Sequence, residues 1–106
     1  MDDNYLVYSR KGTFVTEKGY LIGLRMRLWQ YPHRQEAEFP EGCQLSWIVF
    51  KLTNKKERIL FDNHEGKPPH YHNNEKEAFF PWKSLPETEK MFWQMVYQKF
   101  GYFNYE

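Results

Sequence analysis

Tyr20-Leu21-Ile22-Gly23-Leu24-Arg25-Met26-Arg27-Leu28-Trp29 alternates strictly. Tyr20, Ile22, Leu24, Met26 and Leu28 are apolar, and between them stand Leu21, Gly23, Arg25, Arg27 and Trp29. Successive side chains of a strand point to opposite faces, so one face here is wholly apolar and belongs in a core. The other carries two guanidinium groups and an indole, and can be solvated, as antiparallel sheets allow.

On the N-terminal side, Lys18-Gly19 is a turn signal. Before it, Thr13–Thr16 is β-branched and aromatic, and Tyr5–Tyr8 is a short apolar run. Lys11-Gly12 lies between these two runs and reads as a turn, which predicts a first hairpin. On the C-terminal side, Gln30–Gly42 is polar, contains two prolines and has no period, so it reads as a loop with His33 in solvent. Leu45–Leu52 is a second long strand, with Trp47 and Val49 on one face and Ile48, Phe50 and Leu52 on the other. Thr53–Glu57 reads as a hairpin turn and Arg58–Phe61 as the returning strand.

Beyond an irregular aromatic stretch, Ala78–Lys83, comes the one clear helix. Ser84 and Glu87 have capping-box spacing, Pro86 fits the first turn, and Gly101 is the stop. Leu85, Thr88, Phe92, Met95, Val96 and Phe100 share one face at helical spacing, widened sideways by Trp93 and Tyr97. The fold class is therefore α+β: a mostly antiparallel meander of five or six strands, with one C-terminal helix packed on one face. The wide helix face has two readings, an aromatic core or a docking surface built on Trp93 and Tyr97.

The chain has 106 residues, read as a single domain over 1–106. Its residues are 41% hydrophobic and 20% aromatic, which excludes disorder and gives an aromatic core. A net charge of +1 provides no global field toward nucleic acid, so any such contact needs a local patch. The single cysteine, Cys43, excludes an internal disulfide and fits a reducing compartment. Met1-Asp2-Asp3-Asn4 is acidic and polar, unlike the start of a signal peptide, and no apolar run matches the roughly 20 residues of a membrane span. A soluble cytoplasmic protein, with no membrane partner, is the expectation.

Chemistry concentrates in Leu60-Phe61-Asp62-Asn63-His64-Glu65-Gly66-Lys67-Pro68-Pro69-His70-Tyr71-His72, which holds three of the four histidines. His70 and His72 are spaced to share one side of an extended chain. Pro68 and Pro69 favour extension of the residues before them, and Gly66 permits the preceding bend over Asn63–Gly66. His70, His72, Lys67 and Asp62 thus become candidates for one concavity. Two chemistries use such a set. Two imidazoles and a carboxylate hold zinc or iron. Alternatively, one imidazole takes the ribose 2′-OH proton, the other protonates the leaving oxygen, and Lys67 stabilises the phosphate charge. Arg25 and Arg27 would hold flanking phosphates, while Trp29 and Tyr71 would stack bases. The plainer alternative is surface histidines beside a turn that Asp62 and Asn63 cap, with Glu75 and Glu77 as a solvated edge.

The combined pattern resembles the TumE family of prokaryotic toxin–antitoxin proteins. The residues that carry the likeness are Phe61-Asp62-Asn63, Gly66-Lys67, His70-x-His72, Glu75 and Glu77, Phe80, Trp82, and the Ser84-capped helix with Phe92. Gly19, Trp29 and Pro32 match the family's early strand, so the likeness covers roughly residues 13 to 100. The chain differs at Phe61, where the family usually has Tyr, and at Pro68-Pro69, where it has Gly-Asp. The resemblance implies the toxin of a type II toxin–antitoxin module, neutralised by a helix-turn-helix antitoxin. A metal-independent endoribonuclease, with RNA as substrate and no cofactor, is the reading of Lys67, His70 and His72 themselves. Two alternatives stay beside it: a non-catalytic binding module, and a small metalloprotein. Oligomeric state stays open.

Overall fold

A computed structural model describes residues 3–106; Met1 and Asp2 of the acidic N-terminal stretch lie outside the described residues. In chain order it builds β1 (Tyr5–Val15), β2 (Leu21–Gln30), a 3-10 turn (Pro40–Gly42), β3 (Cys43–Lys51), β4 (Asn54–His64), β5 (Lys67–Asn73), β6 (Lys76–Phe79) and the helix α1 (Leu85–Phe100). The described strands form one six-stranded antiparallel sheet in the order β1-β2-β3-β4-β5-β6, a meander with the helix on one face. Among the described residues no helix is long and apolar enough to cross a membrane.

The alternation of β2 becomes burial. Ile22, Leu24, Met26 and Leu28 are buried, whereas Arg25 and Arg27 stay exposed. Tyr20 sits only at the margin, its ring meeting Phe100 edge-on at 6.4 Å. The core lies where these residues meet Leu45, Trp47 and Val49 of β3, Ile59 and Phe61 of β4, and Phe92 and Val96 of α1. The Phe92 ring packs edge-on against Phe61 (5.2 Å) and Trp47 (5.4 Å). Ser84 caps the helix by accepting from the Glu87 N–H at 3.2 Å. Gly101 ends it at φ +94, with its N–H donating to the Tyr97 carbonyl. No other residue would fit there easily, because a Cβ would come within 2.9 Å of Lys18 on the β1–β2 turn.

Four local expectations are corrected. The first hairpin does not form: β1 runs unbroken through Lys11-Gly12, with a bulge between Leu6 and Tyr8. Gly12 is a strand residue because the Phe14 ring lies over it, 2.9 Å from where a Cβ would stand. The β3–β4 turn is tighter than Thr53–Glu57, since β4 already begins at Asn54. Ala78 and Phe79 belong to β6 rather than to an irregular stretch. The bend placed over Asn63–Gly66 shrinks to Glu65-Gly66, with Gly66 at φ +83, because Asn63 and His64 continue β4.

Candidate functional site

The register fixes which residues can meet. On the face away from the helix, Lys11, Arg25, Ile48, Leu60, His72 and Glu77 lie in one row across all six strands. The next row is Ser9, Arg27, Ser46, Asp62, His70 and Phe79. The two imidazoles of β5 therefore share this open face with Arg25, Arg27 and Asp62. Arg25 is three strands from His72, about 14 Å at the usual strand spacing.

Lys67 and His70 are three residues apart, and on a regular strand they would point to opposite faces. A bulge prevents this. Asp62 pairs with His70 and His64 with Lys67, so Asn63 alone opposes both Pro68 and Pro69. The extra residue turns Lys67 to the histidine side, and a bulge is also where a sheet tolerates residues with no N–H to donate.

The groups converge on the carboxylate of Glu77. Lys67 forms an ion pair with its Oε1. Nε2 of His70 stands 3.7 Å from the same oxygen, and Nε2 of His72 stands 4.0 Å from it. The His70 and His72 rings lie edge to face, with centroids 5.2 Å apart. Nδ1 of His70 is 2.9 Å from the Pro68 carbonyl. A carbonyl only accepts, so Nδ1 carries the proton and Nε2 is the nitrogen turned toward Glu77. The Lys67 ammonium holds the Glu77 carboxyl below the usual carboxylate range. Burial, and then the His70 neighbour, hold His72 below the usual histidine value, against the pull of Glu77.

The two imidazoles are not equivalent. His70 is 1% exposed, enclosed by His72, by His64 at 6.3 Å and by Phe79 at 5.4 Å. The His72 side chain is 20% exposed, and those of Lys67 and Glu77 are each 34% exposed. His72 and Lys67 therefore face solvent, whereas His70, expected to meet a substrate with them, is buried behind them.

Asp62 stands beside His70 on the open face, but the carboxylate within ligand reach of both imidazoles is that of Glu77. By sequence Glu77 reads as a solvated edge. Its true place follows from pairing with His72, which the sequence signals only as alternation in a four-residue strand. Tyr71 is not with the histidines. It points to the helix side and stacks on Phe61 at 5.6 Å and Phe80 at 6.2 Å. Trp29 does lie on the open face, half-buried near the far end of β2. Asn63 is no turn cap. It is fully buried, accepts from the Leu45 N–H at 2.6 Å, and donates to the carbonyls of Glu38 (2.6 Å) and Cys43 (2.9 Å). Arg58, by sequence only the start of a strand, is fixed by Asn74 beyond the end of β5, through bonds at both its N–H and its guanidinium.

Trp93 and Tyr97 are not a free surface either. Trp93 is 9% exposed, and Tyr105 stacks on it at 4.2 Å and 5°. Phe103 and Tyr102 pack against Tyr97 at 5.8 and 5.1 Å. The chain's own last residues cover the wide helix face, and burial pushes the Tyr97 hydroxyl up to about 12. Burial likewise pushes the Cys43 thiol up to about 11, which makes it an unreactive core group.

No family model, curated protein or solved structure matches the chain.

Proposed function

We propose that this protein is the toxin of a TumE-like type II toxin–antitoxin module and acts in the cytoplasm as a metal-independent endoribonuclease, with a helix-turn-helix antitoxin as its partner. One observation carries the chemistry: Lys67 and both imidazoles converge on Glu77 at the open end of a sheet face that also bears Arg25 and Arg27. The toxin identity rests on the resemblance in the residues around that site.

The roles follow from exposure and bonding. His72, the more exposed of the two imidazoles, takes the 2′-OH proton. The resulting oxygen attacks the adjacent phosphorus, and the bond to the 5′-oxygen breaks. Lys67 neutralises the charge gathering on the phosphate and gives its proton to the leaving oxygen. Glu77 fixes Lys67, and His70, its ring tied to the Pro68 carbonyl, packs edge to face against His72 and backs it. Phe61 replaces the family's Tyr on the covered face, stacked between Tyr71 and Trp47, so that position contributes nothing to the open site.

The test is a labelled RNA incubated with chelator-treated wild type, His72→Ala and Lys67→Ala. Wild type should release a 2′,3′-cyclic phosphate and a 5′-hydroxyl, and each variant should lose about 10²–10⁴-fold. Equal cleavage by all three would trace the activity to a contaminant. Activity abolished by chelation would overturn the metal-independent step. A wild type that arrests growth on induction yet cuts no RNA would leave a non-catalytic binding module.

A further inference from the structure

We propose that the same four side chains form a two-state site, in which a divalent transition metal displaces the Lys67 ammonium and binds His70, His72 and Glu77. The geometry is that of a three-donor group whose carboxylate already holds a different cation. The three donor atoms lie within 4.8 Å of one another, and both Nε2 atoms approach one carboxylate oxygen. Zinc bonds of about 2.0–2.2 Å place tetrahedral donors about 3.3–3.6 Å apart. The separations of 3.7 and 4.0 Å to Glu77 need to contract by a few tenths of an ångström, and the two imidazole donors, which lie within 4.8 Å, by up to about 1.5 Å.

His70 is oriented as metal-bound histidines are. Its Nδ1 is tied to a backbone carbonyl, which fixes the ring and leaves Nε2 to face the donor cluster. Two imidazoles and one carboxylate select zinc, copper, nickel or iron, and select against magnesium and calcium, which take oxygen ligands. Lys67 occupies the cation's place on Glu77, and its partly exposed stem lets it swing out. Lysine and metal then compete, since the ammonium and both Nε2 atoms meet at the same carboxylate oxygen, Oε1. Resting on the ribonuclease reading, the consequence is an off-state: bound metal consumes the His72 lone pair and expels the Lys67 charge. Among the described residues Asp62 is not part of this donor group, so the metal site differs from one built on the Asp-Asn of β4.

The experiment is a titration of tag-free, chelator-treated protein with Zn²⁺ alone, followed by calorimetry and by competition with a chromophoric chelator. One zinc per chain should bind. Glu77→Gln and His72→Gln, both at partly exposed positions, should weaken binding at least about tenfold. His64→Ala, a nearby histidine outside the donor group, should leave it unchanged. Lys67→Met should tighten it by about tenfold by removing a neighbouring competing charge, while it removes RNA cleavage. Thermal melts of each variant establish folding. Absence of zinc binding, binding indifferent to both Glu77→Gln and His72→Gln, or weaker binding in folded Lys67→Met would each overturn the site. RNA cleavage without zinc binding would sink the metal state alone. Zinc binding without cleavage would sink the ribonuclease reading alone.

Discussion

The two faces of this sheet are one residue out of step, and they differ in almost everything else. The row Met26, Trp47, Phe61 and Tyr71 lies under the helix and holds aromatic contact after aromatic contact. The neighbouring row Arg25, Ile48, Leu60, His72 and Glu77 faces outward and ends in a charged cluster. The covered face is specified by volume. The open face is specified by which polar atoms the register brings together. A substitution on the first should therefore be read as stability, and on the second as chemistry.

The largest effect expected from that division is on the covered face. Phe92 is fully buried, wedged edge-on between Phe61 and Trp47. Phe92→Ala should cost about 3–5 kcal/mol, the range for emptying a well-packed aromatic site. Denaturant unfolding measures it. A loss under about 1 kcal/mol would mean that helix and sheet are joined loosely, and the contrast between the faces would fail.

Between the faces stands Asn63, which belongs to the turn in sequence and to the core in space. Its amide satisfies the Leu45 N–H and two carbonyls, stapling the loop at Glu38–Cys43 onto the sheet. Asn63→Ala should cost about 1–3 kcal/mol, the penalty for leaving such buried groups unpaired. Asn63→Asp sharpens the point. A carboxylate keeps the acceptor for Leu45 but turns an oxygen toward the Glu38 and Cys43 carbonyls. Burial and those carbonyls disfavour its charged form, which raises the folded-state pKa of the introduced acid above its unfolded value near about 3.9. The protein binds more protons folded than unfolded, so stability falls as pH rises through that window. Asn63→Asp should therefore approach wild type in acid relative to neutral pH, while Asn63→Ala shows no such trend. Parallel unfolding curves at two pH values decide it, and identical trends for the two variants would remove Asn63 from the core network.

These comparisons also explain what could be read from the chain alone. The pattern of β2 was legible because one of its faces is fully committed to the core and the other is not. The capped helix was legible because Ser84, Pro86 and Gly101 act within a turn of themselves. Gly12 misled because its local preference is for a turn, while a ring two residues on supplies the bulk it lacks. Lys67 reaches the histidine side of the sheet through a bulge at Pro68-Pro69, not through extension alone, and no single-sequence signal marks that bulge. The place of Glu77 is not legible because it depends on a partner strand, nor is that of Trp93, because the residues that cover it lie after the helix stop. Local signals survive in a single sequence, whereas cross-strand partners do not.

The smallest effect belongs to the far end of the open face. Arg25 and Arg27 are exposed, and neither touches the Glu77 cluster, from which Arg25 is separated by β3 and β4. Arg25→Gln and Arg27→Gln should shift stability by no more than about 0.5 kcal/mol, as for other surface sites. On the ribonuclease reading they should raise KM a few-fold and leave kcat unchanged, because they would hold phosphates that do not react. Each lost phosphate contact should also reduce the salt dependence of RNA binding by about 0.7 of a unit of slope, the value for single strands. The readout is KM and kcat on a short single-stranded RNA over a range of salt, with Lys90→Gln on the helix side as the control. If kcat falls while KM holds, the arginines reach the reacting phosphate and the strand runs closer to β2 than the register allows. If neither moves, the substrate leaves the sheet at β5, and the open face beyond Leu60 is plain solvated surface.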